Sequence, residues 1–410
     1  MATTCHFLDL PVELRLQIYE HVLAEHQRVR RRIQPSNAHV RLLYVCKQIE
    51  QEAGPILKRY ISLLHEHQIQ TLLLRAHPSR LLAHVEWADV ANDGRVYHVT
   101  EPEREAEDSA PLSSLHVALA RMTSLKRLRV FQCRQGLPLN LQSTMSLHRS
   151  RRLGLRFERA MFPKQSPALA SYALHLSPDT RVELFDTVRA HALVDLRLSG
   201  NTVTPPGQPA FSPVPALRHL TLHGITGTVF DRHPLDECFP GARLESFTYA
   251  LGDRLGFELR NHHLESLAGT ALGAGLRSLT LLGCSRISSG VVTRCLESLP
   301  RLEHFALHLV TVDELRSNFV LALPPSLSVF KLQVINAWYA IPLRDEEREL
   351  CEAIEKVVLL REVPLEHVCV CFRAQLLAED GRQERWARIA EERGFKLSIG
   401  PWESQLVDEI

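Results

Sequence analysis

Apolar and polar residues alternate along much of this chain, and the alternation returns at a steady stride. In LVDLRLSGN, from Leu193, and LRSLTLLGC, from Leu276, leucines stand at the first, fourth and sixth positions. A period of two predicts a strand with one buried face. Looser copies begin at Leu125, Leu169, Leu217, Leu244, Leu302, Leu327 and Leu365, with a further one at Leu82. From Leu193 to Leu327 the steps are 24, 27, 32, 26 and 25 residues. Such regularity predicts a repeat array: parallel strands lie side by side and their leucines fill the layer beneath.

The segments between strands read as helices. Asn261 to Ala271 is one; Ser288 to Leu299, with Val291, Val292, Cys295, Leu296 and Leu299 on one face, is another. DEERELCEAIEKVVLLR begins acidic and places Lys356 and Arg361 late, as the helix dipole favours, with Leu350, Ile354 and Val357 inward. A last helix through GRQERWARIAEERG, stopped at Gly394, and a strand from Phe395 to Ile399 are expected to cap the array.

The N-terminus has a different period. In FLDLPVELRLQIYEHVL, Pro11 suits the first helical position and Glu13 the first turn. Leu14, Ile18 and Val22 follow at a spacing of four, beside Tyr19 and Leu23, and predict the packed stripe; Arg15, Gln17 and Glu20 fall on the wet side. A second helix is expected in AHVRLLYVCKQIEQEAGPILKRY, with Leu42, Val45, Cys46, Ile49 and Ala53 inward and Gly54-Pro55 breaking the pattern.

Two resemblances follow from these residues. The LxxLxLxxN and LxxLxLxxC motifs resemble leucine-rich repeats. Leu8, Leu10-Pro11, Glu13-Leu14, Ile18 and the cysteine-containing VCKQIEQEA resemble the F-box of many fungal proteins, over roughly the first 60 residues. The chain departs from that family in EHQRVRRRIQPSN, where a further helix and an aromatic are usual. Together they imply an α/β chain: an F-box-like helical segment over 1–60, then an irregular leucine-rich-repeat solenoid over 61–410, strands concave and helices convex, with a C-terminal cap. The F-box resemblance implies docking on the Skp-type adaptor subunit of a cullin-RING ubiquitin ligase. That role falls on Leu10 and Pro11, with Leu8, Leu14 and Ile18 as neighbours. The solenoid would then hold a protein substrate.

The alternation also names the substrate face. If Leu193, Leu196 and Leu198 point inward, Asp195, Arg197 and Ser199 point outward. The same offset brings out His219, Thr221 and His223, then Ser246 and Thr248, Ser278 and Thr280, His304 and His308, and Lys331. This strip is polar and mildly basic; Arg197, Thr221, His223, Thr248, Thr280, His308 and Lys331 are the candidate contacts. The alternative is a leucine-rich-repeat scaffold or regulator unconnected to a ubiquitin ligase, its first helices only capping the array.

Composition narrows the classes. Lys+Arg 48 against Asp+Glu 47 gives a net charge of +1, so no global field draws the chain to nucleic acid or anionic lipid. With no long apolar run, no signal-peptide pattern and nine scattered cysteines without a CxxC, a cytoplasmic or nuclear protein with reduced thiols is expected. Stretches near 28–37, 100–114 and 204–215 read as exposed loops. No GxSxG, Walker or HExxH motif occurs, and no catalytic residue, cofactor or metal is expected. His65-Glu66-His67 and His262-His263 lack further ligands at useful spacing; Cys369 and Cys371 share a strand face; Gly269, Gly273 and Gly275 precede a strand and so end a helix.

Overall fold

The computed structural model describes residues 7–28, 35–74, 78–92, 99–100, 114–132, 154–155, 158, 161–163, 166–176, 178, 181–183, 185, 187–203, 211–252, 256–311 and 315–402. The three loop stretches expected near 28–37, 100–114 and 204–215 fall largely outside them. The chain divides into two compact units: Met1–Leu176 with Asp186–Arg189 and Val407–Ile410, and Ser177–Phe185 with Ala190–Leu406.

Unit 1 opens with α1 (Val12–His26), a 3-10 segment (Ala38–Tyr44) and α2 (Lys47–Leu57). It continues through β1 (Tyr60–Leu63), α3 (Glu66–Leu73), α4 (Pro78–Ala83), β2 (Trp87–Asn92), β3 (Val99–Thr100), α5 (Leu115–Ala120), β4 (Arg127–Gln132), β5 (Gly154–Leu155) and β6 (Ser171–His175). Strands β1, β2, β4 and β6 pair in parallel in that order, and β3 and β5 form an antiparallel ribbon. Leu63, Val90, Val130 and Leu174 align in one buried row of the sheet. On the other face α1 and α2 bury Tyr19, Leu23, Ile49, Ala53, Ile56 and Leu57 together with Tyr60, and Trp87 packs against that cluster. Asn37 covers the edge strand: its amide donates to the Ser62 carbonyl and accepts from the Ser62 N–H, both at 2.7 Å, standing in for a neighbouring strand.

Several N-terminal expectations are corrected. The buried stripe of α1 is Arg15, Tyr19 and Leu23, whereas Leu14, Ile18 and Val22 are exposed. Arg15 goes inward because its guanidinium finds a carboxylate on α2, 37 residues away. The expected second helix is two pieces, and Val45, between them, is exposed. Gly54-Pro55 does not end α2, which runs to Leu57; Pro55 sits in the last turn, where a missing N–H costs one bond only. The motif placed at Leu82 starts later: Leu82 ends in α4, and the strand follows Val85.

Unit 2 contains β7 (Arg181–Glu183), β8 (Asp195–Val203), β9 (His219–Thr226), α6 (Leu235–Cys238), β10 (Ser246–Ala250), α7 (Asn261–Gly269), β11 (Ser278–Cys284), α8 (Ser289–Glu297) and β12 (His304–Thr311). It ends with β13 (Val329–Asn336), α9 (Arg344–Ala353), β14 (His367–Cys371), α10 (Ala374–Ala378), α11 (Arg382–Arg393) and β15 (Lys396–Ile399). Strands β8 to β15 pair in parallel in sequence order, and β7 pairs with the end of β8. Each of these strands up to β14 starts two residues after its leading leucine, from Leu193 before β8 to Leu365 before β14. The register then stacks like on like. Leu196, Leu220, Phe247, Leu279, Phe305, Phe330 and Val368 make one buried row; Leu198, Leu222, Tyr249, Leu281, Leu307, Leu332 and Val370 make the next. A buried leucine is worth about 1.5–3 kcal/mol, so these rows dominate the unit's stability. The ladder bulges past Leu198 and Leu281, where Gly200 and Gly283 take φ of 86° and 74°, a conformation that glycine reaches without strain.

Helices α7 and α8 pack on each other and bury Leu264, Leu267, Val291, Val292, Cys295 and Leu296. After α9 the helix widens into a π turn, Ile354–Leu359, which shifts the register so that Val358, not Val357, is fully buried. Helix α11 stops at Gly394 (φ 73°), and β15 pairs with β14. Trp386 of α11 is wholly buried, and its indole donates to Glu355 at 2.8 Å. Among the described residues no helix is long and apolar enough to cross a membrane.

Candidate functional site

The first candidate is the outer side of α1. Leu8, Val12, Leu14, Leu16, Ile18 and Val22 are each between 36% and 45% exposed, and Pro11 is exposed at the tip. Leu10, beside it, is half-buried. Leu14, Ile18 and Val22, at a spacing of four, form an exposed apolar stripe on α1, Leu8 and Pro11 precede the helix, and Leu16 opens onto the groove that it lines with Pro55 and Ile56 of α2. The buried stripe is held by polar contacts. Arg15 donates from Nε and Nη2 to the two oxygens of Glu52, at 2.9 and 2.6 Å. The Tyr19 hydroxyl (3.3 Å) and the Gln48 amide (3.0 Å) complete the carboxylate. The remaining Arg15 nitrogen donates to the Leu8 carbonyl at 3.0 Å and to that of Leu10. One guanidinium thus ties the Leu10-Pro11 tip to α2. The hydrogen bonds from Arg15 and Gln48 hold the Glu52 carboxyl down to about 2, so the pair stays charged through the physiological range.

Beneath this, a second polar joint links the helices to the unit 1 strands. Asp89 is fully buried and accepts from Arg129 Nε (2.7 Å) and Nη2 (2.6 Å), the Tyr60 hydroxyl (2.7 Å) and the Trp87 indole (3.2 Å). Arg129 also donates to the carbonyl of Gln27, the C-cap of α1, at 2.6 Å, and lies 4.6 Å over the Trp87 ring. Burial and the Asp89 charge push the Tyr60 hydroxyl pKa up, so it stays protonated and donating. The same region holds His39, buried, its Nε2 on the Leu57 carbonyl at 3.0 Å; burial lowers its pKa to about 4.

The second candidate is the outward face of the unit 2 strands. The register aligns Arg197, Thr221, Thr248, Thr280, Ala306 and Lys331 in one row. Beside it runs a row through Asp195, His219, Ser246, Ser278, His304, Val329, His367 and Lys396. On the other side lie His223 and His308, the latter paired in register with Gln333. Of the expected contacts, Arg197, Thr221, His223, Thr248 and Lys331 are half-buried and reachable. Thr280 and His308 are buried, at 6% and 5% exposure: short or inward-leaning side chains in mid-sheet are shadowed by neighbours on both sides. Burial and nearby Lys331 lower the His304 pKa to about 4, so at neutral pH this ring is a neutral polar group.

Two features escaped the sequence pattern. The Arg15–Glu52 pair joins positions too far apart for a local rule. Trp338 and Tyr339, 95% and 63% exposed and edge to face at 5.4 Å, project from the loop after β13, where Ile341 is also exposed. The signal for them was an aromatic pair in a short loop between a strand and an acid-led helix.

The groups tempting for chemistry have structural duties. His263 accepts from the Arg260 N–H at Nδ1 (2.9 Å) and meets the Phe230 carbonyl at Nε2 (2.9 Å). Cys369 and His367 lie 3.0 Å apart, Sγ to Nε2. Burial pushes Cys238, Cys295 and Cys351 up to about 12, far from nucleophilic thiolates, and the described cysteines are unbridged. Among the described residues no group of three or more His, Cys, Asp or Glu could hold a metal ion. No protein-family model matches the chain, and the search of curated proteins returns no match.

Proposed function

We propose that the chain is a substrate receptor of a Skp-cullin-F-box type ubiquitin ligase: α1 docks on the adaptor subunit, and the outward face of unit 2, read as a leucine-rich-repeat sheet, carries a protein substrate. The observation that supports this reading is the exposed apolar stripe of α1, Leu14, Ile18 and Val22, with Leu8 and Pro11 exposed just before it, on a helix whose buried stripe is pinned by Arg15 to Glu52. A helix that served only to cover strands would turn its leucines inward. The chain supplies no covalent step; it brings substrate lysines near the ubiquitin donor, raising their effective concentration.

Co-purification with a Skp-type adaptor tests the reading. Wild type is expected to recover the adaptor, and Leu10→Ala with Pro11→Ala to lose it; undiminished recovery by that variant contradicts the proposal. Glu52→Gln frees Arg15 from its anchor and is expected to weaken capture while leaving every apolar contact in place.

A second reading has its own observation. Arg129 joins the C-cap of α1 to buried Asp89, so the helices also cover the first strands, as a scaffold with a capping segment would require. Under that reading adaptor capture is absent, and removal of residues 1–59 unfolds unit 1.

A further inference from the structure

From the charges on the unit 2 face we infer the class of its ligand: an extended acidic segment of another protein, laid across the strands, with carboxylates at its two ends held by Arg197 and Lys331. The inference rests on the reading of this face as the substrate surface and goes on to say what that surface selects.

The chain as a whole is nearly neutral, with a net charge of +1, yet its strands β8 to β15 are not. They contain Arg197, Lys331 and Lys396 together with His219, His223, His304, His308 and His367, and a single carboxylate, Asp195, which lies 3.9 Å from His219. Elsewhere in the unit several cations meet acids: Arg218 with Glu245, Arg277 with Glu303, Arg294 with Glu265, Arg373 with Glu347 and Arg385 with Glu355. Arg197, Lys331 and Lys396 have no carboxylate partner among the described residues. For Arg197 the lack is costly, since its Nε is enclosed without a hydrogen-bond acceptor. A guanidinium in that position is completed by an anion brought from outside, and its planar fork favours a carboxylate.

The register sets the length. Arg197 and Lys331 are the two cations of one row, with Thr221, Thr248, Thr280 and Ala306 between them and Cys369 and Ser398 beyond Lys331. Strand spacing of about 4.8 Å sets the two cations about 24 Å apart, the span of about seven residues of extended peptide. The intervening side chains are small, while the flanking rows carry His219, His304, His223 and His308, so the row is a shallow track with hydroxyls on its floor. It has no Phe, Tyr or Trp on which bases could stack, which favours a peptide over single-stranded nucleic acid.

Fluorescence anisotropy on the full chain tests this, with labelled peptides bearing an Asp-Glu pair at each end of an uncharged spacer. Peptides whose pairs stand about seven residues apart are expected to bind saturably and to weaken with salt, and shortening the spacer to about three to cost about tenfold. Arg197→Gln with Lys331→Gln should weaken binding by about tenfold or more, with a melting temperature no lower than that of the wild type, while Lys47→Gln on α2 leaves binding intact. If Arg197→Gln unfolds, Lys331→Gln alone must still weaken it. Equal binding of a control peptide with Asn-Gln in place of each Asp-Glu pair, wild-type affinity in the double variant, binding of only a phosphorylated peptide, or tighter binding of an oligo-uridine strand overturns the inference. Adaptor capture by the double variant is measured alongside; it should persist, so a failure here stays separate from a failure of the adaptor reading.

Discussion

Helix α1 and the strands of unit 2 solve the same problem in opposite ways. In the strands, leucines go in and polar groups go out: Leu196 and Leu198 are buried while Asp195 and Arg197 face outward. In α1 a charged residue, Arg15, goes in, and Leu14 and Ile18 stay out. The strand face is stabilised by what it hides, and the helix is positioned by a hidden polar pair so that its leucines remain available. The difference yields two surfaces of unlike chemistry, one apolar and one polar and basic.

The largest effect should come from breaking the polar support of unit 1. Asp89→Ala leaves the Arg129 guanidinium buried without its carboxylate, and urea unfolding should register a loss of about 3–5 kcal/mol. In unit 2 the support is apolar, so Leu281→Ala, at a fully buried position, should cost about 3 kcal/mol by the same measurement, with no change in adaptor capture. Equal insensitivity of both sites would erase the contrast.

Acid sharpens it. His39 in unit 1 and His263 and His304 in unit 2 have pKa values lowered to about 4 from an ordinary 6.5, mainly by burial. The unfolded chain therefore takes up these protons first, and stability, complete above pH about 6.5, declines as the pH falls toward 4. Glu52, held down to about 2, adds a later loss specific to α1, between about pH 4.5 and 2. His263→Gln should flatten the first slope and leave the second untouched, as followed by thermal melts across that range.

The smallest stability effect is expected where the functional effect is greatest. Leu14→Ala with Ile18→Ala removes exposed side chains and should shift stability by no more than about 0.5 kcal/mol, while abolishing adaptor capture. A large destabilisation would mean that these leucines support the fold.

The parallel strands were legible because a two-residue period is local: each leading leucine, from Leu193 to Leu365, stands two residues before its strand. The outward row at Arg197, Thr221 and Thr248 followed from the same count. What the pattern missed depended on distance or on backbone detail. Arg15 is buried by Glu52, which no helical wheel contains; Val357 yields to Val358 because a π turn adds a residue to the register; and the strand after Leu82 waits for Val85 because α4 occupies the earlier leucine.

The central claim is that α1, and not the sheet face, meets the adaptor. Hydrogen exchange of the full chain with and without a Skp-type adaptor measures this directly. The account predicts slowed exchange confined to amides of the first helix and its Leu-Pro tip, roughly residues 8 to 24, with strands β8 to β15 unchanged. Unchanged exchange in α1 at saturating adaptor, or protection appearing in the strands instead, would contradict it.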